Sequence, residues 1–334
     1  MVQRNLLIKI NVEFYLKTMI KVAAIIPPSS RNLGNEFFAL GGIEAFSQTF
    51  SHVEKEISVI EFFDSGENSY GQSKTPLFTD STLNWIKNDA DLVVLFGGCC
   101  LHTNLKHLFD ALFSTGKPFL GWGLSPTQYD QSDIAYAKQV ADNPNTLAVI
   151  TRDDIICQKI GDYNKIISGM DGGFWMGDSF KGAGSSSNYS VVNLEQSNQL
   201  DVAESVNTFQ ELSKQNDDPV YMVSNNCELA YYFRHPRSLQ ITSAQQLWST
   251  YANASYVVTT RAHTTICCLT SGTPIEYRGI LDNRVIGLML AAGIDLNGDD
   301  DLTPEECAIR VQESKNSFTE KIRSKVDISI CEKK

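Results

Sequence analysis

The sequence predicts an α/β protein in which two doubly wound parallel sheets face a common cleft. The chain has 334 residues, and at about 150 residues per domain this length corresponds to two domains. Short apolar runs alternate with helical patterns along both halves, which is typical of βαβ units. Residues 177–189, GDSFKGAGSSSNY, are the stretch richest in Gly and Ser. Because such composition is typical of linkers, we place the domain boundary there.

The first half of the chain contains six apolar runs, each short enough for one strand of a parallel sheet. The segments between them have the spacing of apolar residues expected of helices. The predicted strands are residues 21–26, 56–62, 91–96, 118–122, 147–151 and 165–168. The predicted helices are residues 36–51, 82–88, 103–115 and 131–141.

The same alternation resumes in the second half. The predicted strands are residues 190–194, 219–224, 238–241 and 255–259. The predicted helices are residues 199–214, 243–252, 263–271, 283–292 and 304–325. The last helix has clear start signals, because Thr303 suits the N-cap, Pro304 the first position and Glu306 a capping box.

These elements define two Rossmann-like domains, at residues 19–178 and 188–303. The C-terminal helix, 304–326, is expected to pack partly back on the first domain. Met19 directly precedes a complete strand, so residues 1–18 are interpreted as an N-terminal extension. An ordered first helix is the alternative for that segment.

Composition and charge exclude several classes of protein. Hydrophobic residues make up 42% and charged residues 20%, which excludes a disordered chain and a coiled coil. The net charge of −11 argues against broad binding to nucleic acid or to anionic membranes. No apolar run reaches the ~20 residues that span a bilayer, so only peripheral association with a membrane stays open. The eight cysteines include no CxxC pair and the start lacks a signal-peptide pattern, so we expect a reduced cytoplasmic protein.

Glycine-rich or polar strand ends mark candidate sites, because ligands of doubly wound sheets bind beyond the carboxyl ends of the strands. Gly97 and Gly98 follow the most apolar strand and would let a ligand approach the backbone. The turn after the first strand places Asn32, Gly34 and Asn35 near a helix N-terminus, where an anion or a hydroxyl can bind. A plain turn is the alternative interpretation of both segments.

Two arginines also stand at predicted strand ends. Arg152 follows the strand at 147–151, and Arg261 precedes His263 by two residues where a strand leads into a helix. A guanidinium, helix N–H groups and an imidazole would converge there on one anion, and the imidazole can carry a proton near neutral pH. The alternatives are that Arg152 pairs with its Asp neighbours and that His263 is structural.

Residues 253–294 resemble the polysaccharide pyruvyl transferase family. In that family a strand ends in Arg-Leu-His, and a short apolar helix, a Gly-x-Pro turn and a Lys/Arg ahead of a hydrophobic-Gly helix follow. The matching segments are Arg261-Ala262-His263, Gly272-Thr273-Pro274 and Arg284-Val285-Ile286-Gly287. Upstream segments in the family's order are Asn32-Leu33-Gly34-Asn35, Gly97-Gly98, Gly121-Trp122-Gly123-Leu124-Ser125-Pro126, Thr151-Arg152-Asp153 and Asp171-Gly172-Gly173-Phe174. The departures are Asn35 for the family's Asp, Trp122 for Gln, and Ala262 for Leu.

The resemblance implies a GT-B-like fold and an enzyme of exopolysaccharide or cell-envelope biosynthesis. Such an enzyme transfers the pyruvyl group of phosphoenolpyruvate to two hydroxyls of a sugar in a polysaccharide or glycan precursor, and a cyclic ketal forms. The implied donor-binding positions are Arg152, Arg261, Ala262, His263 and Arg284, with Arg261 and His263 catalytic and His263 the general acid. The implied acceptor-binding positions are Asn32, Gly34, Asn35, Gly97, Gly98 and Trp122, whose indole would stack on a sugar. Phosphoenolpyruvate is a co-substrate here, and no metal or resident cofactor is implied.

Two other functions are compatible with the sequence. A nucleotide-sugar glycosyltransferase shares a two-domain cleft and also uses cations to hold a diphosphate. A non-catalytic sugar-binding relative would explain the departures from the family's motifs. Residues 295–306 resemble a calcium-binding loop, but Asp300 stands where such a loop needs Gly, and a solvated acidic loop is the preferred interpretation.

We expect residues 1–18 to be dispensable. A protein that begins at Met19 retains the complete first strand and should fold and keep any activity of the full chain. Yield of folded protein and its urea-unfolding curve test this, with the full chain as the control. Loss of folded protein on truncation would show that the extension belongs to the core.

Overall fold

A computed structural model describes residues 19–28, 33–62, 78–126, 128–180, 187–196, 199–200, 202–215, 217–225, 236–281, 283–295 and 302–331. The N-terminal extension, Asn32, residues 181–186 of the Gly/Ser-rich stretch and residues 296–301 of the acidic loop therefore lie outside the described residues. Among the described residues, no helix has both the length and the apolar character that crossing a bilayer requires.

The first sheet has six strands, all parallel, in the order β2-β1-β3-β4-β5-β6. Its strands are β1 Ile20–Ile26, β2 Lys55–Glu61, β3 Leu92–Phe96, β4 Phe119–Leu124, β5 Thr146–Thr151 and β6 Ile166–Ile167. The helices are α1 Leu33–Thr49, α2 Asp80–Asp89, α3 Lys106–Ser114, α4 Gln131–Asp142, α5 Ile155–Ile160 and α6 Met176–Ser179. Short 3-10 helices cover Thr103–Leu105 and Gly172–Trp175.

The second sheet has five parallel strands in the order β11-β10-β7-β12-β13. Its strands are β7 Ser190–Asn193, β10 Val220–Ser224, β11 Ser238–Gln240, β12 Tyr256–Thr259 and β13 Ile275–Tyr277, and a separate hairpin joins β8 Glu195–Gln196 to β9 Gln199–Leu200. The helices are α7 Val202–Gln215, α8 Ala244–Ala252, α9 Ala262–Ser271, α10 Asn283–Ala291 and α11 Pro304–Lys325. Two separate parallel sheets confirm the predicted fold class.

Several short elements were not predicted. The strand β13 has only three residues, and the β8–β9 hairpin occupies the predicted start of α7, which begins at Val202. Helices α5 and α6 and the 3-10 helix between them are likewise too short to produce a periodic apolar pattern. The predicted capping box of α11 is confirmed, because Thr303 Oγ1 accepts the N–H of Glu306 at 3.2 Å and the Glu306 carboxylate accepts the N–H of Thr303 at 2.8 Å.

The largest apolar cluster is continuous between the two sheets. It contains side chains of β1, β3 and α1 together with side chains of β7, α8 and α9. Helix α1 is central to this contact and approaches the 3-10 helix Gly172–Trp175 backbone to backbone. A Cβ atom on Gly41 would lie 2.1 Å from the carbonyl oxygen of Gly172, so only glycine fits at position 41.

The C-terminal helix α11 packs against both α9 and α1. Its Phe318 ring lies 5.6 Å from the ring of Trp122 and 5.1 Å from that of Trp175. Lys315, which is only 2% exposed, places Nζ 2.8 Å from both carboxylate oxygens of Asp178. The helix therefore covers part of the first domain's core with the Phe318 ring and with an ion pair whose lysine is buried.

We expect Lys315→Met to destabilise the protein by about 2–3 kcal/mol, because it leaves the Asp178 carboxylate without its buried cation. Methionine keeps the apolar stem of the side chain. The matched control is Lys106→Met, which removes an exposed pair with Asp110 on α3 and should cost less than about 0.5 kcal/mol. Urea unfolding followed by tryptophan fluorescence measures both, and equal effects would contradict the prediction.

Candidate functional site

Arg152 lies directly after β5, at the carboxyl edge of the first sheet. Its side chain is almost fully buried, with 5% of the residue exposed. Its Nη2 donates a hydrogen bond to Cys99 Sγ at 3.4 Å, and its Nε lies 3.9 Å from Asp153 Oδ2. Nε has no hydrogen-bond partner within the described residues.

Acidic side chains surround this arginine. Asp153 accepts hydrogen bonds from the Tyr129 hydroxyl and from the N–H of Ile155, and Asp171 accepts the N–H of Gly173. Burial raises the pKa of both carboxyls. Burial alone would lower the pKa of Arg152, but Cys99, Tyr129, Asp171 and Asp153 together raise it above its ordinary value. Arg152 therefore stays charged, and the predicted pairing with its Asp neighbour is present.

The segment after β12 places the second arginine at the carboxyl edge of the second sheet. Arg261 is the N-cap of α9, with its N–H donated to Thr259 Oγ1 at 3.0 Å and its carbonyl accepting the N–H of Thr265 at 3.0 Å. Ala262 and His263 are the first two residues of the helix. Their backbone N–H groups lie at its positive end, where an anion is stabilised.

His263 follows Arg261 by two residues and lies against α1. Its imidazole is 5.6 Å from the Phe38 ring and 6.1 Å from the Phe37 ring. Nε2 is buried and has no hydrogen-bond partner among the described residues. Burial, then Arg261, then Arg152 lower the pKa of His263 to about 3. Both arginines are thus near enough to act on one imidazole, although they belong to different sheets.

A buried polar network behind α9 was not predicted from the sequence. Asn225 donates from Nδ2 to Thr264 Oγ1 at 3.0 Å, and its Oδ1 accepts from Asn193 and from the Tyr251 hydroxyl at 3.1 and 2.7 Å. The carbonyl of Asn225 also accepts the N–H of Leu33, the first residue of α1. Asn193 ends β7 and Asn225 directly follows β10. A polar residue at a strand end is the sequence signal that could have identified them.

The residues of the predicted acceptor side have different environments. Gly34 is buried in the first turn of α1, and Asn35 donates from Nδ2 to the carbonyl of Pro28 at 3.0 Å, which ties the start of α1 to the segment after β1. Gly98 borders the arginine, because a Cβ atom there would lie 3.4 Å from Arg152 Nη1. Gly97 precedes it and donates its N–H to the carbonyl of Trp122. Asn32 lies outside the described residues.

The structure corrects the interpretation of Trp122. The residue is 1% exposed, and its indole packs against the rings of Phe46 and Phe318, each 5.6 Å away. β4 is a central strand with helices on both faces, so alternate side chains point into the core. Trp122 therefore has no open face on which a sugar could stack.

Helix α10 brings the second domain against the arginine's neighbours. A Cβ atom on Gly287 would lie 3.0 Å from Asp153 Cβ and 2.8 Å from Ile155 Cδ1. Arg284 lies one turn earlier on the same helix, but its side chain is outside the described part of the structure. Among the described residues, no group of three or more His, Cys, Asp or Glu side chains could hold a metal ion.

The comparisons with known proteins agree with this arrangement. A model of the polysaccharide pyruvyl transferase family matches residues 32–275, which include both arginines and His263. The chain belongs to the polysaccharide pyruvyl transferase family. A search of curated proteins found no match.

Solved structures extend the likeness in fold beyond the family. The S. aureus MnaA–UDP structure has a TM-score of 0.53 and 11% identity, over 92% of this chain and 94% of that one. The UDP-GlcNAc 2-epimerase from Neisseria meningitidis bound to UDP-GlcNAc has a TM-score of 0.52 and 9% identity, over 92% and 95%. At such identities the likeness shows the fold, which is of the GT-B type, and nothing finer.

We expect His263→Gln to make the protein less sensitive to acid. An unfolded chain protonates histidine near its ordinary pKa of 6.5, whereas the folded protein keeps His263 neutral down to about pH 3. Stability contributed by the neutral imidazole is therefore lost as the pH falls below 6.5, at about 1.4 kcal/mol per pH unit.

Urea unfolding near pH 7.5 and near pH 5 measures this, and the loss of stability should be about 2 kcal/mol smaller in the variant. The difference between the two proteins near pH 7.5 gives the packing cost of the substitution and serves as the internal control. The same acid-induced loss in both proteins would contradict the expected pKa.

Proposed function

We propose that this protein transfers the pyruvyl group of phosphoenolpyruvate onto two hydroxyls of one sugar, with a cyclic ketal as the product. One observation carries the proposal: Arg152 and Arg261, from the edges of two sheets, both act on a neutral His263 whose Nε2 has no hydrogen-bond partner within the described residues. A charged donor supplies the negative charge that this arrangement favours. Membership of the pyruvyl transferase family supports the same donor.

The donor's two anionic groups fit the two arginines. Arg152 and Arg261 would pair with the phosphate and the carboxylate, and the N–H groups of Ala262 and His263 at the start of α9 would complete the cradle. Arg284 would approach from α10, the helix whose Gly287 packs closely against the Asp153 side chain. No charge from a metal is needed in this scheme.

The proposed reaction balances without a further co-reactant. The methylene carbon of phosphoenolpyruvate gains a proton, and C2 forms bonds to two sugar oxygens while its bond to the phosphate oxygen breaks. Of the two hydroxyl protons, one is accounted for by the new methyl group and the other leaves with phosphate. His263 is neutral in the free protein, and the bound anion would raise its pKa so that it takes up a proton and delivers it to the methylene carbon.

The acceptor would lie on the first-domain side of the same edge. Gly98 borders Arg152 and Gly97 directly precedes it, and the first turn of α1 brings Gly34 and Asn35 to the neighbouring strand end. Asn35 ties the start of α1 to the carbonyl of Pro28. We therefore propose that it positions the first turn of α1 beside the acceptor. Trp122 has no part in acceptor binding, because it is buried.

Product analysis tests the proposal. The purified protein is incubated with phosphoenolpyruvate and a panel of sugars, and acceptor-dependent phosphate release is measured together with the methyl signal of a pyruvate ketal. Parallel reactions contain UDP-sugars in place of phosphoenolpyruvate. Sugar transfer from a UDP-sugar, with no ketal in any reaction, would support the glycosyltransferase alternative, whereas binding without either product would support a non-catalytic relative.

We expect Arg261→Ala to raise the half-saturating concentration of phosphoenolpyruvate by roughly tenfold to a hundredfold, since a lost charge-assisted hydrogen bond costs about 1.5–3 kcal/mol. Arg261→Lys should restore only part of the affinity, because lysine lacks the bidentate fork. Arg323→Ala is the matched control, since Arg323 is an exposed arginine that binds the carbonyls of Thr49 and Gln48.

Calorimetry near pH 7 in buffers of different ionisation enthalpy should also show uptake of about one proton when the donor binds, and no uptake in His263→Gln. Unchanged affinity in a folded Arg261→Ala protein would contradict the proposed donor site.

A further inference from the structure

The loop after β3 places a thiol next to the buried guanidinium. Cys99 is half-buried, and its Sγ accepts the hydrogen bond from Arg152 Nη2 at 3.4 Å. On its other side the Ser125 hydroxyl lies 3.8 Å from the same sulfur. The thiol is therefore part of the strand edge at which Arg152 ends, although neither the chemistry proposed above nor the family's motifs use it.

A second observation concerns an unsatisfied donor on the same arginine. Only 5% of Arg152 is exposed, and yet its Nε makes no hydrogen bond with a described residue. At the edge of the second sheet, His263 also keeps a buried Nε2 without a hydrogen-bond partner in the described part of the chain. A small anion that binds the Arg152 guanidinium would lie beside Cys99 Sγ, which the same guanidinium contacts.

The other cysteines of the described residues lack this combination. Cys100, Cys267, Cys268, Cys307 and Cys331 are buried. Cys157 is half-buried like Cys99, but its sulfur lies 3.7 Å from the Thr151 hydroxyl, and burial raises its pKa to about 11. Cys157 thus provides a comparison thiol of similar exposure without a guanidinium contact.

We propose that Cys99 is a modification site for small anionic electrophiles, which Arg152 draws in and holds beside the sulfur. The step is an ordinary alkylation: with a haloacetate, an Sγ–carbon bond forms, the carbon–halogen bond breaks, halide leaves and the thiol proton goes to solvent. The adduct leaves a carboxylate against the guanidinium. An adduct at this position would occupy Arg152 and close the edge of the site to other anions.

The inference that the adduct blocks the donor rests on the proposed function, whereas the modification itself rests only on the contact between Cys99 and Arg152. The test therefore has two separate parts. The first compares two reagents that differ in charge. The second asks whether phosphoenolpyruvate protects the thiol.

In the first part the native full-length protein is treated with iodoacetate or with uncharged iodoacetamide, and each cysteine is quantified by peptide mass mapping. For each thiol, the rate of reaction with iodoacetate is divided by the rate with iodoacetamide. This ratio should be about tenfold or more higher at Cys99 than for free N-acetylcysteine, because one charge-assisted hydrogen bond to the reagent's carboxylate contributes that much affinity. The excess should shrink as salt is added, because salt screens the attraction. Cys157 should react slowly with both reagents.

A ratio at Cys99 equal to that of the free thiol, or no labelling of Cys99 by either reagent, would overturn the proposal. Rapid labelling of Cys157 together with Cys99 would also overturn it, since reactivity would then reflect opening of the fold. Arg152→Lys, which keeps the charge, should retain part of the preference for iodoacetate, and Arg152→Gln should lose it.

In the second part, saturating phosphoenolpyruvate is added before iodoacetate. Slower labelling of Cys99 supports both the modification site and the proposed donor site. Undiminished labelling that still prefers iodoacetate supports the modification site and contradicts the placement of the donor at Arg152. The two proposals can therefore fail independently.

Discussion

The close packing of helix α1 is the constraint on which the arrangement of the two sheets depends. Its Gly41 allows backbone contact with the 3-10 helix at Gly172–Trp175, and its Phe37 ring lies 6.5 Å from the ring of Trp248 on α8. The carboxylate of Glu36 accepts the N–H of Ala244, the first residue of α8, at 3.1 Å. Because these contacts come from one helix, a shift of α1 would move both walls of the candidate site at once.

Charge distribution explains why the site can hold a strong cation in an acidic protein. Arg152 is buried, but Asp153, Asp171 and Tyr129 are close enough to stabilise its charge without completing its hydrogen bonds. Both arginines act on the imidazole of His263, which is also buried and stays neutral. In the proposed function, binding of the anionic donor would change the protonation of the site as well as its occupancy, and would so couple recognition to the supply of a proton.

Most of the fold and part of the site could be predicted because their signals are local. An apolar run that ends in Arg152 or in Arg261 is visible in a few consecutive residues, and each parallel sheet then brings its own strand ends to one edge. Trp122 was misjudged, because whether a side chain of a central strand faces a ligand or a helix depends on elements distant in the sequence. The network of Asn193, Asn225 and Tyr251 was missed for the same reason: it joins segments that only the folded sheet brings together.

The contacts of α11 have a consequence for how the chain matures during synthesis. The rings of Trp122 and Trp175 are covered by Phe318, and Asp178 meets its cation at Lys315, so the core of the first domain includes residues from near the end of the chain. Domains emerging from a ribosome usually fold in order, the N-terminal one first. Here the first domain reaches its final packing only after α11 has been released, and a chain that stops before α11 would leave uncovered the faces of Trp122 and Trp175 on which Phe318 packs.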